Sequence, residues 1–342
     1  MAAFLCAVSL QAFGESTEPA DLGRLPTRVA DTGITQGMWL WSDTVFATQS
    51  QRTRLLDFCL QYQINHLALA VYFVDTASDS LRLRHEAGLA QLIRAGGESG
   101  ISVAALRGAG TMAFRSQHPQ TLRELEALLD FNARQVLGSR FSDIHYDIEP
   151  YNTEPWRAGG DSRLTVQTDY LDFLYAARAL ITQRGAEVTL SADTPYWYDR
   201  AIFAIEYRGE VKHFSEHIQD ATDFITLMSY NRDPLRVLEQ VAGEADYAHK
   251  MGKLVHAGME VGYVRGEEHF ISFQWLPTWR FWRARHVIED DARQRRGLDG
   301  VYIHFYRALY DKLTNSDDRP KTDDGAMSSE DPIVLEMFSD YI

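Results

Sequence analysis

Four ionisable side chains alternate along Asp143-Ile-His-Tyr-Asp-Ile-Glu149. In an extended chain, a period of two puts Asp143, His145, Asp147 and Glu149 on one face and Ile144, Tyr146 and Ile148 on the other. Such a charged face cannot lie in an apolar interior without a large desolvation penalty, so it must open to a polar cavity, at least toward its end. Two carboxylates two residues apart raise each other's proton affinity. Glu149 could then stay protonated near neutral pH and act as a general acid, with Asp147 ionised beside it. A structural set of ion pairs with Arg107 or His145 accounts for the same residues without chemistry and stays open.

The elements that must position this segment are legible as eight short apolar runs, at 37–41, 66–73, 101–106, 143–149, 187–193, 223–230, 253–260 and 298–305. Each is β-branched or aromatic and too short for an ordinary helix. Between them lie amphipathic helical patterns, among them 51–61, 89–96, 120–137, 168–183, 234–252 and 281–296. Gly100 and Gly185 stand where helix stops are expected. Strand and helix in eightfold alternation predict an α/β fold, a (β/α)8 TIM barrel in a single domain. The alternative, an open doubly wound sheet, normally carries a glycine-rich phosphate turn after its first strand. Here the first strand runs into Trp41-Ser-Asp-Thr44.

Active groups of such a barrel gather at the C-terminal ends of its strands. Those ends carry Trp41, Asp43, Tyr72, Asp75, Arg107, Asp147, Glu149, Tyr151, Asp193, Trp197, Tyr230, Asn231, Glu260, Tyr263, His304 and Tyr306. Carboxylates among flat aromatic faces suit a glycan: acid chemistry at the glycosidic oxygen, and platforms under the sugar rings.

Residues 143–149 resemble the fourth-strand motif of the family 18 glycoside hydrolases, the chitinase-like barrels, whose pattern is Asp-x-x-Asp-x-Asp-x-Glu. Met228-Ser-Tyr230-Asn231 resembles that family's sixth-strand motif, Met-x-Tyr-Asp/Asn. The resemblance implies hydrolysis of a glycosidic bond in an N-acetylhexosamine-containing glycan, with Glu149, Asp147 and Tyr230 catalytic. Glu149 would be the general acid, and Asp147 would orient the 2-acetamido group as internal nucleophile. Tyr230 and Asn231 would hold that group, with His145 supporting Asp147. Trp41, Tyr72, Asp193, Trp197, Glu260 and Tyr306 complete the expected substrate contacts. The chain departs from the family pattern at Ser142, Asp143 and His145, and carries His304 and Phe305 where a strand-eight Trp is usual.

Two other chemistries stay open. Glu149-Pro150 also resembles the acid/base segment of the large retaining clan of barrel glycosidases, in which Glu260 would be the nucleophile. The two carboxyl groups would then stand about 5–5.5 Å apart. A metal-dependent hydrolase built on strand histidines is the other, although no His-x-His pair follows the first strand. A barrel that binds glycan without cleaving it is the non-enzymatic reading. Trp156 is a further stacking candidate, whereas Trp275, Trp279 and Trp282 fall at helical spacing and read as core.

Composition bounds the rest. The chain has 342 residues, 45% hydrophobic and 24% charged, which is globular, and 12% aromatic. Its 34 Lys and Arg against 48 Asp and Glu give a net charge of −14. That argues against a sequence-independent nucleic-acid binder. Cys6 and Cys59 are too few for a disulfide framework or a cysteine metal site, and Cys59 reads as a buried, inert thiol. The chain is expected to need no cofactor or metal, and no membrane span is expected, because no long apolar run occurs. Residues 1–14 carry no charge and resemble a secretory signal peptide, which implies export to the periplasm or the medium. The expected organisation is signal peptide 1–14, leader 15–36, barrel 37–310 and acidic tail 311–342, with a short docking helix at 333–338.

Overall fold

The eight apolar runs form eight parallel strands: β1 (Thr35–Leu40), β2 (His66–Ala70), β3 (Ser102–Arg107), β4 (Asp143–Tyr146), β5 (Thr189–Pro195), β6 (Phe224–Met228), β7 (Leu254–Glu260) and β8 (Leu298–His304). They close into a barrel in chain order, with β1 paired to both β2 and β8. A helix follows each strand: α1 (Gln49–Tyr62), α2 (Glu86–Glu98), α3 (His118–Arg134), α4 (Gly160–Gln183), α5 (Phe214–Ala221), α6 (Pro234–Met251), α7 (Thr278–Ala292) and α8 (Tyr306–Thr314). This computed structural model describes residues 26–76, 80–263 and 269–314. The expected signal peptide, the leader up to residue 25, and the tail and docking helix from residue 315 lie outside the described residues. Residues 311–314, expected to open the tail, are the last turn of α8, and residues 35–36, expected in the leader, begin β1. Among the described residues, no helix is long and apolar enough to cross a membrane.

Local chemistry sets the helix ends. Thr48 and Gln51 form a reciprocal capping box on α1, so two otherwise orphaned backbone donors are satisfied. Asp233 caps α6 by accepting from the Leu235 amide, and Pro234 begins that helix, where its missing N–H is no loss. Gly100 and Gly185 follow α2 and α4 with φ of +78° and +58°, the left-handed conformation that glycine adopts without strain. Two small hairpins, Phe73–Asp75 with Leu81–Leu83 and Ile205–Tyr207 with Glu210–Lys212, decorate the connections after β2 and β5.

The barrel separates two interiors. Ile144, Tyr146 and Ile148 face outward into the large apolar core beneath the helices, as the period of two requires. The lumen holds Trp39, Ala68, Ala70, Leu106 and Tyr302 as its apolar filling. Beside them lie the buried polar side chains Asp143, His145, Ser191, Asp193, Thr226, His256 and Glu260. Trp39 and Tyr302 meet edge to face, with ring centroids 4.8 Å apart. Tyr302 fits only because residue 37 lacks a side chain, for a Cβ there would lie 2.1 Å from its ring. Gly37→Ala is therefore expected to destabilise the barrel by about 1–3 kcal/mol, the usual range for overpacking a filled core. Urea denaturation checks this, and a midpoint equal to that of the parent would show that the lumen can yield.

Candidate active site

Depth along β4 sorts its four ionisable groups. Asp143 and His145 lie deep in the lumen, while Asp147 and Glu149 sit half-buried just past the strand end, at the C-terminal mouth. The Asp147 amide still donates to the Arg107 carbonyl at 2.8 Å, so the segment leaves the sheet in register. Gly108 packs directly against it: a Cβ there would lie 2.3 Å from the Asp147 carbonyl oxygen and 2.9 Å from its Cβ. This close approach, unremarked in the sequence, fixes where Asp147 stands.

The two carboxyl groups at the mouth both hold protons more tightly than usual. For Asp147, burial is the main cause, reinforced by the charges of Glu149 and Asp193 and opposed by His145; the result lies well above the ordinary carboxylate range. Its Oδ1 is buried without a hydrogen-bond partner. For Glu149, burial again dominates the upward shift, the Tyr151 hydroxyl opposes it, and Asp193 adds to it. Tyr151 Oη donates to Glu149 Oε1, and Asn152 Nδ2 donates to Oε2 at 3.2 Å. Trp197 meets the Tyr151 ring edge-on at 5.2 Å, so an aromatic bracket backs the acid. Desolvation, more than the paired charges alone, raises the proton affinity of Glu149.

His145 and Asp193 take different places from those expected. Both are buried, and neither reaches the rim. His145 Nε2 lies 2.8 Å from Asp193 Oδ1, in an ion-pair contact without the alignment of a hydrogen bond. Its Nδ1 pairs with Ser191 Oγ at 2.7 Å, and Ser191 Oγ donates onward to Asp143. Trp39 Nε1 donates to the other Asp193 oxygen at 2.8 Å. Burial alone would lower the proton affinity of His145, but Asp193 and Asp143 outweigh it and lift its pKa to about 10. It is thus a buried imidazolium between two carboxylates. It acts on Asp147 through its charge, and Asp193, which is buried, is closed to substrate hydroxyls. The structural ion-pair reading holds for Asp143 and His145, whereas Arg107 binds Glu124 on α3 instead, at 2.8 Å.

Glu260 is also a correction. It is 1% exposed and both its oxygens are engaged. One accepts from the Gly262 amide and the other faces His304 Nδ1, each at 2.6 Å. A carboxylate so enclosed is not placed to attack a sugar, nor does it contact Arg107; Arg265 lies outside the described residues. Tyr306 is a second correction: it opens α8 and packs edge-on against Phe58 at 5.2 Å, among the helices. Trp156 is buried against Phe203, Tyr198 and Phe214 rather than open to a ligand. Trp275 and Trp279 are exposed instead of core, because Trp275 precedes α7, while Trp282 stacks on Tyr62.

The remaining expected residues gather at the mouth. Tyr230 lies half-buried with its ring stacked on His304 at 5.9 Å. Burial and the charges of Glu260, Asp193, Asp147 and Glu149 hold its hydroxyl protonated far above the usual range, so it is a neutral donor facing carboxylates. Asn231 accepts from the Asp233 amide at 2.9 Å, which commits its acceptor end to the turn before α6. Tyr72 Oη donates to the Trp41 carbonyl at 2.8 Å, and the Trp41 indole N–H donates to His304 Nε2 at 2.9 Å. Of the lumen histidines, His145, His256 and His304 pair with carboxylates, and His66 Nδ1 meets the Tyr302 hydroxyl. Among the described residues, no three His, Cys, Asp or Glu side chains come together as a metal site. Cys59 is buried, and burial pushes its thiol far above the usual range. Asn152 and Ser191 are contacts that the sequence reading did not assign to the site, whereas Tyr151 stands at the end of β4 as expected.

No protein-family model matches the chain, and no curated protein sequence matches it. Among solved structures, a calcium-binding mutant of beta-glucuronidase 2 from Bacteroides uniformis is 10% identical, with a TM-score of 0.55 over 80% of this chain and 30% of that one. The likeness is one of fold. A chitinase from Chromobacterium violaceum ATCC 12472 is 13% identical over 82% of this chain and 99% of that one, with a TM-score of 0.46. A beta-1,4-mannanase from the sea hare Aplysia kurodai is 11% identical over 84% of this chain and 93% of that one, with the same TM-score.

Proposed function

We propose that the protein is a glycoside hydrolase in which Glu149 is the general acid and the substrate's own 2-acetamido group is the nucleophile. The observation that carries this reading is the pair at the end of β4. Two carboxyl groups, two residues apart, are both desolvated into high proton affinity, and one retains a buried, unpartnered oxygen beside an aromatic rim. Glu149, held by Tyr151 and Asn152, gives its proton to the departing glycosidic oxygen. The free acceptor oxygen of Asp147 receives the acetamido N–H and turns the acetamido carbonyl toward the anomeric carbon. Tyr230, a neutral donor, steadies that carbonyl. Substrate assistance needs no second protein carboxylate at nucleophile spacing, which agrees with the enclosure of Glu260 by Gly262 and His304.

The test is a hydrolysis screen that pairs each 2-acetamido glycoside with its 2-hydroxy counterpart on the same leaving group. Turnover is expected only with the acetamido member, by a margin of at least about a hundredfold. Equal turnover of both members would overturn substrate assistance. Saturable glycan binding without turnover of either would instead favour a barrel that binds and does not cleave.

A further inference from the structure

We propose that His304 is a positioning residue: in its neutral form, with the proton on Nδ1, it locks Trp41 as a wall of the cleft, and a second proton releases that wall. An indole N–H can only donate. Trp41 Nε1 lies 2.9 Å from His304 Nε2, so Nε2 must be the unprotonated acceptor. The ring's one proton then sits on Nδ1 and points at Glu260 Oε2, 2.6 Å away. Glu260 is in turn anchored by the Gly262 amide at 2.6 Å. A chain of named donors and acceptors thus runs from the backbone after β7, through Glu260 and His304, to the indole. Trp41 is held from a second side by Tyr72, whose hydroxyl donates to its carbonyl.

The imidazolium has two N–H donors and no acceptor. Protonating His304 therefore turns the Trp41 contact into donor against donor, while it strengthens the contact with Glu260. The groups packed around His304 are Glu260 on β7, Tyr230 on β6, Asp193 on β5, Glu149 beyond β4, and Trp39 and Trp41 on β1. Burial opposes the charged form, but Glu260, with Glu149 and Asp193, outweighs it and raises the proton affinity above that of an ordinary imidazole. The locked state is accordingly the one found above the His304 pKa, and it is lost as pH falls through that value. Trp39, one strand period away, is not switched in this way, because its indole N–H ends on Asp193.

The role of Trp41 as a ligand wall rests on the glycosidase reading above, whereas the lock itself does not, and the experiment separates them. The full chain is labelled with 15N-indole tryptophan and titrated from pH 5 to 10 by NMR. The Trp41 resonance is assigned by its loss in Trp41→Phe, and that of Trp39 by its loss in Trp39→Phe. The Trp41 indole proton is expected to move upfield in one transition as pH falls, while that of Trp39 keeps its hydrogen-bonded shift. His304→Gln, whose amide can accept from Trp41 and donate to Glu260 without titrating, should hold the Trp41 shift constant. In Glu260→Gln the transition should move down by on the order of one pH unit. No transition in the parent, or the same transition in His304→Gln, overturns the lock. With substrate, KM should rise severalfold across the same transition, and this dependence should vanish in His304→Gln; a KM that ignores the transition would overturn the ligand role alone.

Discussion

Glu149→Gln is expected to lower glycoside turnover by about a thousandfold and to leave the fold and most of the glycan affinity in place. The size follows from the ordinary contribution of a positioned general acid, about 10²–10⁴-fold. Retention of the fold follows from local hydrogen bonding. The glutamine carbonyl can accept from Asn152, and its NH2 can donate to the Tyr151 hydroxyl, which can rotate to accept. The pH dependence carries a sign. Glu149 must be protonated to act, and burial holds its pKa above the ordinary value, so the alkaline limb of the parent's rate profile should lie above the usual carboxylate range. The deficit should also shrink on aryl glycosides whose leaving group departs without a proton. Steady-state kinetics on both substrate types, with glycan affinity measured alongside, checks all of this. A variant as active as the parent on unactivated substrates would end the assignment of Glu149.

The barrel was legible in the sequence because its strands are buried on both faces, and each therefore reads as a short, nearly continuous apolar run. What the runs do not show is depth. Asp143, His145, Asp147 and Glu149 look alike in the alternation, yet the first pair lies within the lumen and the second at its mouth. Asp193 and Glu260 were misread for the same reason: lumen-facing positions near a strand end read as rim, although Trp39, His145, His304 and the Gly262 amide close over them. Tyr306 fell on the wrong side because β8 ends at His304 and the chain turns into α8 at once. Helix α5 and the two hairpins escaped notice, being eight and three residues long, too short for a periodic signal.

The histidine at residue 145 has an electrostatic consequence that bears on Asp147. A carboxylate there would raise the proton affinity of Asp147 and Glu149 further. His145, lifted to about 10 by Asp193 and Asp143, instead brings a positive charge and opposes the rise in the Asp147 pKa. Asp193, however, restores a negative charge one strand away and raises both mouth carboxyls. The His145–Asp193 pair thus keeps the local balance near that of a single neutral side chain, with the charges moved inside the lumen.

The second large effect lies far from the cleft. Glu244 on α6 is buried, and neither carboxyl oxygen has a hydrogen-bond partner. Burial is the main reason its pKa rises to about 8, and the charge of Asp199 adds to the rise. Ser215 stands near enough to favour the ionised form, but it is not aligned for a bond. Folding therefore holds a proton on Glu244 that the unfolded chain releases at about 4.5. The sign follows: the folded state binds more protons between those two values, so its stability is fullest below the lower one and falls as pH rises to about 8. At about 1.4 kcal/mol per tenfold in proton affinity, the loss amounts to roughly 4 kcal/mol. Glu244→Gln removes the titration. Relative to the parent, the variant should gain about that much on going from pH 4.5 to pH 8.5, so its melting temperature should fall less than the parent's over that range, by roughly 5 °C or more. A constant penalty from burying the amide shifts both ends equally and leaves the difference intact. Chemical denaturation at the two pH values decides the matter, and parallel stability curves for parent and variant would show that Glu244 is ionised in the folded protein at neutral pH.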